Sequence, residues 1–233
     1  QRARVLQTGD NASSILQTNF NNEAEVSQNG DRNRSGILQT GSSGDIGDLD
    51  TATTTDAGVI QTGDDNQSDI AQLGINNNAN VTQTGDLNTS KINSSGGWAD
   101  ATVIQQGDRN NADIERQSYN NGTPTGGPVS PFNPTGNIDA EADIRQFGDD
   151  NKANIAQDAA PTAAFIVQNG DENVSRIDQR AGTAFASNTQ NGDQNDSIID
   201  QRGGNSSATV TQTSTGPVFN SSRTDQPDYT GPD

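Results

Sequence analysis

Glutamine recurs every eleven residues down most of this chain, at Gln61, Gln72, Gln83, Gln105, Gln146, Gln157, Gln168, Gln179, Gln190, Gln201 and Gln212, with Ser94 holding one slot. A fixed register of this kind points to a repeat architecture before local propensity is consulted. Alternate elevens differ, so the repeating unit is a pair of arms of about 22 residues.

The first arm reads Q-x-G-D-x-N-x-small-x-I-x-Q and begins at Gln28, Gln61, Gln83, Gln105, Gln146, Gln168 and Gln190, with a version one residue short at Gln7, which makes eight units. Its third position is always glycine: Gly9, Gly30, Gly63, Gly85, Gly107, Gly148, Gly170 and Gly192. Aspartate follows that glycine every time. The second arm has a looser turn but an equally strict end, with alanine at 24, 57, 79, 101, 142, 164, 186 and 208. Two residues later comes an apolar column of Val26, Val59, Val81, Val103, Ile144, Ile166 and Val210, broken only by Asn188.

The spacings between successive Gly-Asp turns are 21, 33, 22, 22, 41, 22 and 22 residues. The long ones place insertions near 40–54 and 117–138, both between a first and a second arm. A coil that accepts extra residues at one corner has that corner at the surface. Both loops are therefore expected on one edge.

Apolar residues make up 27% of the chain and the net charge is −18, values that alone suggest disorder. Eight alanines in one slot out of eight require a fixed geometry instead. Apolar side chains are too sparse for one large globular core, so a thin core shared between stacked coils fits better. The chain has no Cys, His or Met. Disulfides and thiolate metal sites are thereby excluded, and so is the commonest general base. The acidic balance argues against nucleic acid and anionic membranes as partners, and no stretch is apolar enough for membrane insertion as a helix. A chain opening on Gln1-Arg2 reads as a mature secreted form.

Within each arm, residues at every second position are Asn, small, Ile and Gln, with polar residues between, which is the strand signature. In the third unit Asn66, Ser68, Ile70 and Gln72 are expected to point inward. Glycine supplies the positive φ for a tight reversal, and aspartate bonds local backbone. The predicted fold is all-β: a β-solenoid of eight stacked strand-turn-strand coils of about 22 residues, with two facing parallel in-register sheets. It spans 5–212, after a short segment 1–4 and before a non-repetitive tail 213–233. That tail, holding Val218, Phe219 and Tyr229, is free to fold over the last coil, hang loose or pack on a neighbouring subunit.

Burying an amide without a partner costs free energy, but stacking offers each Gln or Asn the identical amide one coil above and below. The ladder residues are expected to be Gln28, Asn33 and Ile37; Gln61, Asn66, Ile70 and Gln72; Gln83, Asn88 and Ile92; Gln105 and Asn110; Gln146 and Asn151; Gln168 and Asn173; Gln190 and Asn195; and Gln212. Four N-terminal residues are too few to cap the front coil, and uncapped solenoid edges invite strand addition.

The spacing Q-x-G-x-x-N-x-[SA]-x-[IV]-x-Q, in eight units of one frame over about 5–212, resembles the curlin repeat of curli, the bacterial functional amyloid. The resemblance implies a secreted, non-enzymatic subunit polymerising with itself into extracellular cell-surface fibres for biofilm matrix, adhesion and surface colonisation. It also implies an outer-membrane export pore, a nucleator subunit and accessory proteins.

Smaller features carry two readings each. The aspartates of the turns would stack into a column of like charge, with Asp64, Asp86 and Asp108 as candidate Ca²⁺ ligands. The simpler reading is turn chemistry. Asp45, Asp48 and Asp50 in the first insertion lack the spacing of a known calcium loop, and Tyr119 and Phe132 in the second either anchor it or bind a partner. A monomeric surface-binding solenoid, either an ice-binding protein or a calcium-dependent adhesin, is the rival function. Thr8, Thr40, Thr62 and Thr84 fill their slot in only some units, and the period is not nine. No cluster of carboxylates breaks the repeat as a glycosidase site would.

Overall fold

The computed structural model describes residues 2–18, 22–40, 56–117, 140–158, 162–180, 183–203, 205–214 and 220–226. In chain order the first strands are β1 (Arg2–Thr8), β2 (Ala12–Thr18), β3 (Glu23–Asn29), β4 (Arg34–Thr40), β5 (Asp56–Thr62), β6 (Gln67–Thr84), β7 (Thr89–Gln106) and β8 (Asn111–Gln117). They are followed by β9 (Ala140–Phe147), β10 (Lys152–Gln157), β11 (Thr162–Asn169), β12 (Val174–Gln179), β13 (Ala184–Asn191), β14 (Asn195–Gln201), β15 (Ser206–Thr213) and β16 (Asn220–Gln226). Because β6 and β7 each run round a corner and serve both sheets, the sixteen elements give eighteen strands in two parallel sheets of a β-solenoid.

Every neighbouring pair is parallel and in register. One sheet stacks Val5, Val26, Val59, Val81, Val103, Ile144, Ile166, Asn188 and Val210. The other stacks Ile15, Ile37, Ile70, Ile92, Ile114, Ile155, Ile177, Ile199 and Thr224. The two columns face each other across the coil, and away from the ends they are buried together with Ala24, Ala79, Ala101, Ala142, Ala164 and Ala186 of the second arm. A slip of one residue would turn both columns outward, so burial alone fixes the register.

From the second unit on, the Gly-Asp reversal uses two left-handed residues per coil, one of which the sequence does not mark. Gly63 has φ 112° and Asp65 has φ 57°; in the next coil Gly85 has φ 111° and Leu87 φ 60°. The turns themselves are laddered, with the Gly63 N–H donating to Asn29 O and the Asp65 N–H to Asp31 O of the preceding coil. Stacking contributes the bonds that hold a leucine or arginine in a conformation it ordinarily avoids.

The eight two-arm units run from β2 to β15, and one further strand flanks them at each end. At the front, β1 begins at Arg2 and pairs with β3 over its whole length. At the back, part of the tail folds onto its own chain as β16, in register on β14. The segment Asn220-x-Ser222-x-Thr224-x-Gln226 is a first arm with Thr in place of Ile, set between Pro217 and Pro227, and that pattern is its sequence signal. Val218, Phe219 and Tyr229 lie outside the described residues, as do Asp45, Asp48, Asp50, Tyr119 and Phe132 of the insertions. The strands flanking the insertions, β4 with β5 and β8 with β9, place both at the corner between a first and a second arm.

Asn188 occupies an apolar slot with its side chain fully buried, its Nδ2 donating to Ser175 Oγ while its Oδ1 has no partner. Replacing Asn188 by valine should raise stability by about 1–2 kcal/mol in denaturant unfolding, since it removes an unsatisfied polar atom and adds apolar burial. A loss of stability would show that the Ser175 bond outweighs both.

Candidate functional site, the ladders and the two open ends

The first glutamine ladder is continuous from end to end. The Nε2 of Gln7 donates to Gln28 Oε1, and the same link repeats through Gln61, Gln83, Gln105, Gln146, Gln168 and Gln190 to Gln212, at 2.6 to 3.0 Å. The second proton of each amide is used inside the coil, as in Gln83 Nε2 to Gln67 O at 2.9 Å. A primary amide has two donors and a carbonyl acceptor, and this arrangement spends both donors and meets the acceptor at no cost in water.

Asparagine is satisfied differently from the amide-on-amide stacking expected of it. Asn66 Oδ1 accepts the backbone N–H of Asn88, and Asn66 Nδ2 donates to Gly85 O, both one coil on. Asn33, Asn88, Asn110 and Asn151 do the same. Only toward the C-terminal end do side chains meet directly, Asn195 Nδ2 reaching Asn173 Oδ1 and Asn220 Nδ2 reaching Asn195 Oδ1. The asparagine therefore ties turn to turn. At Asn173 and Asn195 the backbone N–H and the Nδ2 both donate to the Oδ1 of the preceding asparagine, so there the side chains stack as well.

The turn aspartates are likewise bonded between coils rather than locally. Asp64 N–H donates to Asp86 Oδ1 and Asp86 N–H to Asp108 Oδ1, each at 2.8 Å, and Asp108 continues to Asp149 at 2.8 Å. One oxygen of each of the candidate metal ligands Asp86 and Asp108 is thus an acceptor for the coil before, as is that of Asp64 for Asp31. Among the described residues no group of three or more His, Cys, Asp or Glu is arranged to hold a metal ion.

The second glutamine ladder is interrupted once. Gln17 links to Gln39 and Gln39 to Gln72, and after the gap Gln157 links to Gln179, Gln201 and Gln226. Between them stand Ser94, too short to meet Gln72, and the fully buried Arg116. Arg116 Nη1 donates to Asp100 O in the role that Gln157 Nε2 plays toward Glu141 O. Gln72 Nε2, Ser94 Oγ and Gln157 Oε1 are buried without partners. The double change Ser94→Gln with Arg116→Gln should close the ladder and raise stability by about 1–3 kcal/mol in urea unfolding.

A family model described as the curlin associated repeat matches residues 21–47 and 55–97. Over those residues the chain carries curlin repeats. No curated protein and no solved structure matches it. The matched curlin repeats take in β3 to β6 and the first half of β7, and the pairing registers carry the same columns onward to Gln226.

Among the described residues, both ends of the solenoid present free strand edges: β1 and β2 in front, β15 and β16 behind. In front, Val5 is 46% exposed although it belongs to the inner column, and Ile15 is only partly buried. Behind, the inner residues of β16 are half-buried. Both ends therefore carry inward-facing groups that in every other coil are covered by a neighbour.

Near the ladder break, burial pushes the carboxyl pKa values of Asp100, Glu141 and Asp143 up, partly opposed by Arg116 at Asp100 and Glu141 and by Arg145 at Asp143. Hydrogen bonds from Arg32, Arg109 and Arg202 hold Asp65, Asp150 and Asp200 below the usual range. The first group favours the folded state when protonated, so its contribution is present at low pH and is lost as pH rises above about 4 toward the raised values. The second contributes above the ordinary carboxylate range and is lost below it, but its pairs are exposed and weak. Stability should accordingly rise as pH is lowered from neutral toward about 4 and fall again below the ordinary carboxylate range. The combination Asp100→Asn, Glu141→Gln and Asp143→Asn should flatten the first limb, as read from unfolding midpoints against pH.

Proposed function

We propose that this chain is the structural subunit of an extracellular, curli-like amyloid fibre, polymerising end to end by strand addition to build biofilm matrix and attach cells to surfaces. The carrying observation is that, among the described residues, both ends of the rod carry free strand edges and the pairing is in register from first strand to last. A free edge with exposed inner residues is a template for a further strand, and a second copy supplies the columns that fit it. The curlin repeats in 21–47 and 55–97 support the reading. On this reading the chain is secreted through the outer membrane and is not an enzyme. Its partners are further copies of itself, a nucleator subunit, an export pore and accessory proteins. The acidic surface, with net charge −18, keeps rods apart sideways while the ends associate.

The test is negative-stain microscopy and fibre diffraction after dilution of purified chain from denaturant. Unbranched fibres with a spacing of about 4.8 Å along the axis support the reading. A folded chain that stays monomeric at high concentration over days would remove it in favour of a surface-binding monomer.

A further inference from the structure

The fibre reading does not say which ends meet, or whether they meet flush. We propose that copies join head to tail without a gap, the β1–β2 level of one copy seated on the β15–β16 level of the next, so that the strand 220–226 forms half of the receiving face. This rests on the fibre reading, but its support is independent of it.

The first observation is the shape of the back end. The last regular unit finishes with β15, so a rod ending at Gln212 would carry a step, one strand high, above β14. β16 sits on β14 and fills that step, so that the rod ends on a complete pair of strands, as it begins with β1 and β2. Two flush ends can stack like any two neighbouring coils.

The second is register. Continuing the observed columns across such a junction puts Ala3, Val5 and Gln7 over Ala208, Val210 and Gln212. It puts Asn11, Ser13 and Gln17 over Asn220, Ser222 and Gln226. Only Ile15 over Thr224 departs from identity, and that pair leaves no unmatched charge inside.

The third is polarity. Every link of both glutamine ladders runs from Nε2 of one coil to Oε1 of the coil that follows in sequence. The donors nearest the back end are the Nε2 groups of Gln226 and of Gln212, the latter held by Asn220 O in the single rod, while Gln7 turns its acceptor to the front. Head-to-tail contact pairs donor with acceptor. Front-to-front contact sets acceptor against acceptor and brings Arg2 and Arg4 of both copies together, two cations already matched to Glu23 and Glu25 of their own chain.

The experiment blocks each end with one buried charge. Val5→Lys places an ammonium on the front face and Thr224→Lys one on β16, positions that water reaches in the single rod but not in the junction. Each purified variant, shown to be folded by circular dichroism, is followed by light scattering alone and in a 1:1 mixture. The expected result is that each alone stays monomeric, with fibre growth at least tenfold slower than wild type. The mixture should stop at dimers, because one variant keeps an open back and the other an open front. Homodimers from either variant alone would overturn the polarity, and undiminished growth of Thr224→Lys would overturn the role of β16. Ser222→Lys, on the same face of the same strand, repeats the measurement should Thr224→Lys fail to fold. Wild-type chain that never polymerises removes the fibre reading itself, whereas wild-type fibres alongside either overturning result remove the junction alone.

Discussion

Replacing Gly107 by alanine is expected to destabilise the rod by about 3–5 kcal/mol and to split its unfolding into two phases. Gly107 has φ 119°, a conformation that residues with a Cβ avoid. An added Cβ would lie 2.2 Å from Gly148 O and 2.7 Å from Gly148 C, both backbone atoms of the next coil. Neither atom can move without breaking the turn ladder, in which the Gly148 N–H donates to Gln106 O and the Asp150 N–H to Asp108 O. Because each coil touches only its neighbours, a lesion in the middle separates two halves that unfold at different denaturant concentrations. Gly36→Ala is the control. Its φ is not positive, and its Cβ would meet only Asp69 Oδ1, at 2.8 Å, the end of an exposed side chain that can swing aside. That variant should stay within about 1 kcal/mol of wild type, with a single transition in urea. If Gly107→Ala unfolds in one step at the wild-type midpoint, the turns are softer than their geometry implies.

The fold was legible in the sequence because stacking makes each column answer one geometric question many times. The Val26 to Val210 column and the Ile37 to Ile199 column could be read as inward-facing from alternation alone, and the turn glycines from their invariance. What could not be read has physical causes. The left-handed residue after each turn aspartate from Asp31 on, Leu87 or Arg109 for example, bears no common side chain, because backbone bonds between turns hold it there. The asparagines resemble the glutamines in chemistry, yet Asn33, Asn66, Asn88, Asn110 and Asn151 donate to glycine carbonyls of the next turn rather than to one another. β16 was hidden by three additional residues between Gln212 and Asn220 relative to the spacing of Gln61 and Asn66, and by Thr224 in the isoleucine slot. Arg116 stands in a glutamine slot, where a side chain of similar reach performs the bond to Asp100 O but cannot extend the ladder.

Whether hydrophobic burial or the amide ladder dominates the rod can be decided at Gln105. The residue is fully buried, accepts from Gln83 at 2.8 Å, and donates to Gln146 at 2.9 Å and to Thr89 O at 3.0 Å. If apolar burial were the main term, Gln105→Leu, of similar volume, would stabilise by about 1–2 kcal/mol. The ladder gives the opposite sign. Leucine removes the acceptor of one of the two Gln83 Nε2 protons and the side-chain donor to Gln146 Oε1 and to Thr89 O, at about 1–3 kcal/mol each, so a net loss of about 3–5 kcal/mol is expected. Gln105→Glu refines the test. As a carboxylate it still accepts from Gln83 but has no proton for Gln146, and it is a buried charge, so at pH 7 its loss should equal or exceed that of leucine. Burial raises its folded pKa above the unfolded value, so the penalty is absent at low pH and grows as pH rises through the interval between them. Protonated glutamic acid can both accept and donate, and the variant should recover most of its stability near pH 4, where Gln105→Leu recovers none. Urea midpoints at the two pH values separate the outcomes: parallel behaviour of the two variants would mean that the bonds along the column contribute little, and that the apolar columns alone hold the coils together.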